Sequence, residues 1–494
     1  MRIVVILLVF FVQFICTEQL SFSAEDKTPQ LSPVKGAAAE LSQSLGRQFQ
    51  SVESDTGETI LLVVPVAPSP AVVRPPRKER SRAGVDRICV TPTAGLVLPG
   101  GDVRLCPGTY QLSDGMVIDR PAVVRGYGQV TLIGPGGSYP YKNGIYIETS
   151  DVTVSGITFE NWFCGIYGNP EYVSGPYGER ITISENVFRD NYDGMIGWDW
   201  THSVVKNNQA INNQSGITLA RYYRPESTVG QNVVHNNSVL MTSFPSSPVP
   251  TTGISVENNN VSPDPATHLK DIGVINNTVV YTGCREYKPE CGSFGIEVNQ
   301  IVRATVTGNM IYGMGTAGIF ADMTNSVLSH NTIQDLWSRG YLASGLFDVE
   351  FLGWWGGGPR NNLYQDNVVA LGAGPNRATI GFYGFHVFVA GWDGNVIENN
   401  AFKGLVYGYK GHLVDPTGQA NQLYRNNLLD NHVQIEDLEN TQYQGQLLVA
   451  KENHYSDFSK QDCNPDDQGY CQNPRTDPAN WPDNSDPRAK FEPY

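Results

Sequence analysis

Charged side chains are scarce in this 494-residue sequence, at 17% of the total, while glycine is abundant at 51 residues. Few charges, many glycines and many short β-branched runs argue against helices and for β-structure broken by turns. Basic residues are also too few to balance the acidic ones, 34 against 49, and the net charge of −15 argues against a nucleic-acid partner. No pair of cysteines has the C-x₂-C spacing, so zinc is the weaker reading of the cysteines. Beyond residue 24 there is no long apolar run, so no transmembrane anchor is expected in the mature chain.

The exception is the N-terminus. Arg2 followed by the apolar Ile3–Ile15 and the small-residue stretch Ser21-Phe22-Ser23-Ala24 reads as a signal peptide over 1–24. The mature protein is then expected to be secreted, periplasmic or on the cell surface. Residues 25–87, with Pro65, Pro68, Pro70, Pro75, Pro76 and a basic run from Arg74 to Arg82, read as a disordered, solvated Pro/Ser-rich linker. Residues 1–87 hold 10 basic and 9 acidic side chains, which leaves a net −16 on the rest. Cys89/Cys106, Cys284/Cys291 and Cys463/Cys471 form three local couples, and an exported chain makes disulfides between them the expected pairing, other connectivities being open. Cys164 stands apart and reads as a small buried hydrophobe.

From Ile88 the chain repeats itself. A glycine followed by a large apolar residue recurs at Gly144-Ile145, Gly165-Ile166, Gly194-Met195, Gly216-Ile217, Gly253-Ile254, Gly295-Ile296, Gly318-Ile319, Gly345-Leu346 and Gly384-Phe385. Most periods carry a second marker, an asparagine before an apolar run, at Asn186, Asn208, Asn237, Asn277, Asn309, Asn331, Asn367, Asn400 and Asn427. Each period holds two or three strands too short to make a core alone. Coiled on top of one another, they pair with their equivalents above and below. Alternate residues then stack inside (Ile254/Val256, Ile296/Val298, Ile319/Ala321), and asparagine at a fixed corner can tolerate left-handed backbone and bond its stacked neighbours. The unequal spacing puts insertions at corners, the longest at 221–252, 258–290 and 351–380.

The Gly-Ile-x-Val and Asn-Asn-x-Val repeats, with the opening "LCPGTYQLSDGMVIDRPAVVRGYG" (105–128), resemble the pectate-lyase-like superfamily of right-handed parallel β-helices. That resemblance implies an all-β solenoid of about ten or more turns over 88–446, followed by an irregular tail over 447–494. It implies a polysaccharide partner and a choice of activities: lyase, epimerase or hydrolase, or a non-catalytic carbohydrate-binding or adhesion role. The Asn-Thr-Asp, Gly-His-Gly and Arg-Ile-Lys set of polygalacturonases is absent, and so are the Gln-Asp-Thr-Leu stretch of pectinesterases and the Asp-Pro-His-Asp stretch of alginate epimerases. No family's catalytic residues transfer. The resemblance leaves the oligomeric state open.

Aligning the glycine heads yields candidate sites. Two residues after each glycine come Tyr146, Tyr167, Ile196, Thr218, Ser255, Glu297 and Phe320; four after come Trp198, Ala220, Glu257, Asn299 and Asp322 among others. Glu257, Glu297 and Asp322 therefore fall on three neighbouring turns of one face, with Asn299 beside them. Such carboxylates can divide into acid and base for glycoside hydrolysis, bind Ca²⁺, or be ordinary solvated surface. A second cluster, "GWDWTH" and "ARYYRPE", brings Trp198, Trp200, His202, Arg221, Tyr222, Tyr223 and Arg224 to one edge. Uronate lyase or epimerase chemistry needs a cation for the sugar carboxylate, a base and an acid, and Arg221, Arg224, Tyr222 or Tyr223, and His202 could fill those roles. An insertion anchored by tyrosine packing and Arg–Asp pairs reads equally well, and burial of both Arg221 and Tyr222 under the 221–252 insertion would remove the lyase reading. Trp354 and Trp355 in "FLGWWGGGPRNN", and His386 two residues after Gly384, are further candidates for sugar contact.

Overall fold

The computed structural model describes residues 89–456 apart from 137–140, 169–177, 222–229, 242–250, 259–267, 283–292, 337–342, 351–360, 371–378, 387–393, 413–420, 432 and 438–447, with two strands in 49–63 and short pieces of 465–489. No helix among the described residues is long and apolar enough to cross a membrane. The chain divides into two compact units at Ile88/Cys89. In the first, Phe49–Glu53 pairs antiparallel with Thr59–Val63, so the stretch expected to be only a spacer contains paired strands.

The second unit is a coil of parallel strands in three sheets of 13 strands each. One turn runs Asn143–Ile147, Val152–Ser155, Thr158–Glu160, and the next begins at Cys164–Gly168. We call the sheets, in that order, the head sheet, the second sheet and the third sheet. The second and third sheets continue to Leu448–Lys451 and His454–Tyr455, so the coil extends past the expected boundary at 446. Inside, the apolar residues of successive turns stack as the alternation requires: Ile254, Val256, Ile296, Val298 and Ile319 are all fully buried.

The glycine heads have a steric cause. A Cβ at Gly295 would sit 2.5 Å from the carbonyl oxygen of Gly318, and one at Gly253 would sit 2.6 Å from that of Gly295. The strand enters the head sheet so close to the next turn that only glycine fits. One head was misplaced by the sequence reading. Leu346 pairs with Phe382, so the head is Gly381-Phe382 and not Gly384-Phe385.

The asparagines form a continuous buried ladder between the second and third sheets. The Oδ1 of Asn309 accepts from both the backbone N–H (2.9 Å) and the Nδ2 (3.0 Å) of Asn277, while its own Nδ2 donates to the carbonyl of Val274. The same pattern runs from Asn186 through Asn208, Asn237, Asn331, Asn367 and Asn400 to Asn426 and Asn453. The ladder therefore passes through Asn426, one residue before the expected Asn427. Nor are the ladder asparagines the left-handed residues. That conformation belongs to the residue before each of them: Glu185, Asn207, Asn236, Asn276, Gly308, His330, Asp366, Asn399, Arg425 and Glu452.

From Val152 on, this corner spans two residues in every described turn. The chain outside the described residues leaves and rejoins at the other two corners, at the two ends of the head-sheet strands. The stretch 221–252 shows it: Val233–His235 and Ser238–Met241 lie inside it, so it is two separate interruptions, 222–229 and 242–250. Every one of these interruptions falls, along the chain, at an end of a head-sheet strand, which makes the outer face of that sheet the first candidate for a site.

Replacing Asn426 by alanine leaves the amide groups of Asn400 without their acceptor in a buried corner. We expect a loss of about 2–4 kcal/mol in denaturant unfolding. Asn427→Ala, on the outward face, is expected to change stability by less than about 0.5 kcal/mol.

Candidate functional site

The outer face of the head sheet presents two rows of side chains parallel to the coil axis. In one, Thr218, Ser255, Glu297, Phe320, Phe347, Tyr383 and Lys410 stand in direct register from turn to turn. In the other, Trp198, Ala220, Glu257, Asn299 and Asp322 do the same. Glu257 and Asp322 are thus two turns apart in one row, with Glu297 diagonal to Glu257 in the neighbouring row, as the head alignment predicts. With turns about 4.8 Å apart and a rise of about 3.3 Å per residue, the Cα atoms of Glu257 and Glu297 are separated by roughly 8 Å.

The two glutamates differ in character. Burial pushes the Glu297 carboxyl up to about 8, the nearby Glu257 charge pushes in the same direction, and a hydrogen bond from Ser255 Oγ (3.4 Å to Oε2) opposes them. Part of the burial comes from its own row, because Phe320, 5% exposed, follows it in register and packs edge-on between Phe294 and Phe347. Tyr383 then stacks on Phe347 at 5.1 Å. Burial and the neighbouring Glu257 therefore both favour the protonated form of Glu297. Asp322 differs again, since it is only 2% exposed. Among the described residues no three acidic, histidine or cysteine side chains converge in a way that could hold a metal ion.

The second cluster comes apart. Trp200, 1% exposed, belongs to the core and packs where Gly168, Gly178 and Gly197 leave room, so it offers no face to a sugar. Arg221 is also 1% exposed; burial lowers its pKa while the charge of Asp199, itself fully buried, opposes the fall. This is a structural guanidinium, and a substrate carboxylate cannot reach it as it stands. His202 is exposed at the corner between the head and second sheets, in left-handed conformation, its Nδ1 3.1 Å from Thr201 Oγ1. It is outside the two rows. Of the described members of the group, Trp198 alone remains on the face, half-buried at the head of the Glu257 row.

Tyr222, Tyr223, Arg224, Trp354 and Trp355 lie outside the described residues. His386 ends the strand Thr379–His386 and pairs with Glu350; with the head at Gly381, Tyr383 takes the place in the Glu297 row that His386 was expected to hold. Of the expected disulfides, Cys89–Cys106 is formed. Cys471 is disulfide-bonded, while Cys284, Cys291 and Cys463 lie outside the described residues. Cys164 is a buried free thiol, 3.7 Å from Asp193 Oδ2, its pKa driven well up by burial and then by that carboxylate.

The sequence model of the right-handed β-helix region matches residues 126–279 and 250–428, more than half of the chain. The chain belongs to the right-handed β-helix family. No curated protein matches this β-helix in sequence. Several solved structures are similar in fold. The A-module of mannuronan C-5 epimerase AlgE6 from Azotobacter vinelandii is 16% identical over 71% of this chain and 91% of its own, with a TM-score of 0.44. PfbA, a surface adhesin of Streptococcus pneumoniae, is 10% identical over 72% and 84%, with a TM-score of 0.45. The catalytic unit of a thermostable GH87 α-1,3-glucanase from Streptomyces thermodiastaticus is 12% identical over 71% and 62%, with a TM-score of 0.39. At such identities the likeness concerns the fold alone.

Two parts of this β-helix face escaped the sequence reading. The aromatic row Phe320–Phe347–Tyr383 was legible in the residue that follows each Gly-apolar pair, but the competing Gly384-Phe385 hid Tyr383. A buried pair, Tyr364 donating to Asp348 Oδ2 at 2.5 Å, lies in the core beneath the same sheet, and nothing in the repeat marks it.

A raised carboxyl pKa binds a proton more tightly in the folded than in the unfolded chain. Its contribution to stability is complete below the unfolded value near 4.5 and is lost as pH rises through about 8. Glu297→Gln is expected to remove that part of the slope in urea unfolding between pH 5 and 8. Glu257→Gln is expected to shift the Glu297 titration, followed by infrared carboxyl bands, toward lower pH.

Proposed function

We propose that this protein cleaves glycosidic bonds in a glycan lying along the outer face of the head sheet, with Glu297 as general acid and Glu257 as its ionised partner. The observation that supports this reading is the coupled pair itself. A proton held to about pH 8 on one carboxyl, by burial and by the charge of the other, is the division of roles that glycoside hydrolysis requires. Glu297 gives its proton to the glycosidic oxygen as the bond from that oxygen to the anomeric carbon breaks. Glu257 stabilises the positive charge that develops on the sugar. It then takes the proton of the incoming water, or bonds to the anomeric carbon until water displaces it; the anomer first formed distinguishes the two. Trp198 and the aromatic row, at opposite ends of the two rows, supply apolar flanks for sugar rings.

The substrate class follows from charge. Residues 88–494 carry a net −16, which disfavours a uronate polymer, and with Arg221 buried elimination from uronates loses one of its two candidate cations. A neutral glycan is the better fit. The Met1–Ala24 segment supports export, where such polymers are met.

The test is a panel of neutral and uronate polysaccharides, read for new reducing ends and for the ultraviolet absorbance of unsaturated uronates. Reducing ends without absorbance are expected. Activity is expected to fall as pH rises through about 8, where Glu297 loses its proton, and Glu297→Gln is expected to lower the rate by about 10²–10⁴-fold. Unsaturated products, or an unimpaired Glu297→Gln protein, would overturn the assignment. Glycan binding without any cleavage would turn the same face into an adhesion surface.

A further inference from the structure

The first turns of the head sheet carry aromatic side chains that the core does not use. Tyr141, Phe163 and Tyr192 lie just before the head strands that begin at Asn143, Cys164 and Asp193, on three successive turns. Their ring centroids are 4.3 and 4.9 Å apart, Phe163 and Tyr192 are partly exposed, and Tyr141 is 44% exposed. Inside the coil these turns already have buried rings of their own, Phe159 and Phe188. Rings kept at the surface on successive turns suit contact with another molecule.

Next to Tyr141 in the chain begins a polar patch. Lys142 Nζ donates to Asp114 Oδ2 at 2.7 Å, and both side chains are partly exposed. The Tyr146 hydroxyl accepts from the Asn143 N–H at 3.4 Å and lies within range of the Lys142 and Asp114 charges. Burial, above all, raises the Tyr146 pKa, so the phenol keeps its proton near neutral pH and has it to donate. An exposed ion pair of this sort adds little to stability. It does offer what sugar hydroxyls need, namely carboxylate lone pairs, ammonium N–H groups and a phenol O–H in one patch beside an aromatic ring.

Tyr146 also stands in the row that contains Glu297. Tyr146, Tyr167, Ile196, Thr218, Ser255 and Glu297 are in register on consecutive turns. Turns about 4.8 Å apart put Tyr146 about 24 Å from Glu297 along the coil. At that distance it takes no part in breaking a bond at Glu297, yet a polymer lying along the row passes it.

We propose that Tyr141, Lys142, Asp114 and Tyr146 form a second, non-catalytic binding site for a neutral glycan. One hexopyranose rests against the Tyr141 ring while its hydroxyls bond to the Lys142–Asp114 pair and to the Tyr146 hydroxyl. The site anchors the polymer at the N-terminal end of the face. Its ligand class rests on the glycan reading proposed for the two rows, but binding here is measured without cleavage.

The test is affinity electrophoresis of the full chain in gels containing laminarin, dextran, mannan or galactan, with Glu297→Gln in every protein so that no polymer is cut. Retardation by at least one of these polymers is expected. Adding Tyr141→Ala is expected to weaken it about fivefold. Tyr146→Phe, which removes only the hydroxyl, is expected to weaken it about threefold. Tyr127→Ala, at an exposed ring outside the site, is expected to leave it unchanged, and unchanged thermal unfolding of each variant shows that the fold is kept. No retardation of the parent by any of the polymers, or equal retardation of the parent, Tyr141→Ala and Tyr146→Phe, would overturn the proposal. Retardation that depends on Tyr141, in a protein that cuts none of the polymers once Glu297 is restored, upholds this site and removes the cleavage reading. Cleavage together with retardation indifferent to Tyr141 and Tyr146 does the reverse.

Discussion

From Val152 on, the chain turns between the second and third sheets within two residues, and the buried amide of the second has no strand partner. The asparagine of the following turn supplies the acceptor, and its own amide needs the asparagine after that. A buried amide left without an acceptor costs on the order of 1–3 kcal/mol, so each turn is completed only by the presence of the next. This dependence makes the coil cooperative from turn to turn. It also fixes the rotational register of every turn about the axis, since one corner of each is pinned to the corner below.

A pinned corner has consequences on the opposite side. From Val152 on, the passage between the second and third sheets keeps a constant two residues, and variation in length falls at the two ends of the head-sheet strands. The head sheet consequently lies between connections of variable length while its own strands stay in register to within one rung. Side chains separated by dozens of residues, such as Glu257 and Glu297, are held as fixed neighbours on a flat face. Their electrostatic coupling depends on that rigidity. A carboxyl that shares a row with Ser255 and Phe320 and a diagonal with Glu257 is desolvated on one side and repelled on the other, and both effects raise its pKa.

Much of this was legible before any coordinates. The period, the inward stacking and the two outward rows follow from the Gly-apolar heads, because the side-chain alternation of a strand has a period of two and the heads supply the phase. The reading failed where the phase was ambiguous. In "TIGFYGFH" two glycines three residues apart are each followed by phenylalanine, and only pairing with Leu346 selects Gly381. It failed similarly at Asn426-Asn427, where adjacent asparagines offer two phases and the ladder takes the first.

The sequence alone determined the periodic part of this protein: a coil of short parallel strands, its buried stripe, and which carboxylates share a face. These are consequences of spacing, and spacing is written in the chain. Burial was decided only by the tertiary structure. Trp200 and Arg221 read from their neighbours as site residues, yet Gly168 and Gly197 on two neighbouring strands, with Gly178 outside any strand, open the space that takes Trp200 inside, and Arg221 is buried near Asp199 of the preceding turn. Glu297 and Asp322 read as equivalent carboxylates, yet the residues above and below each in its row give them different surroundings. Whether a side chain meets solvent or core depends on residues one turn away, and local sequence carries no record of them.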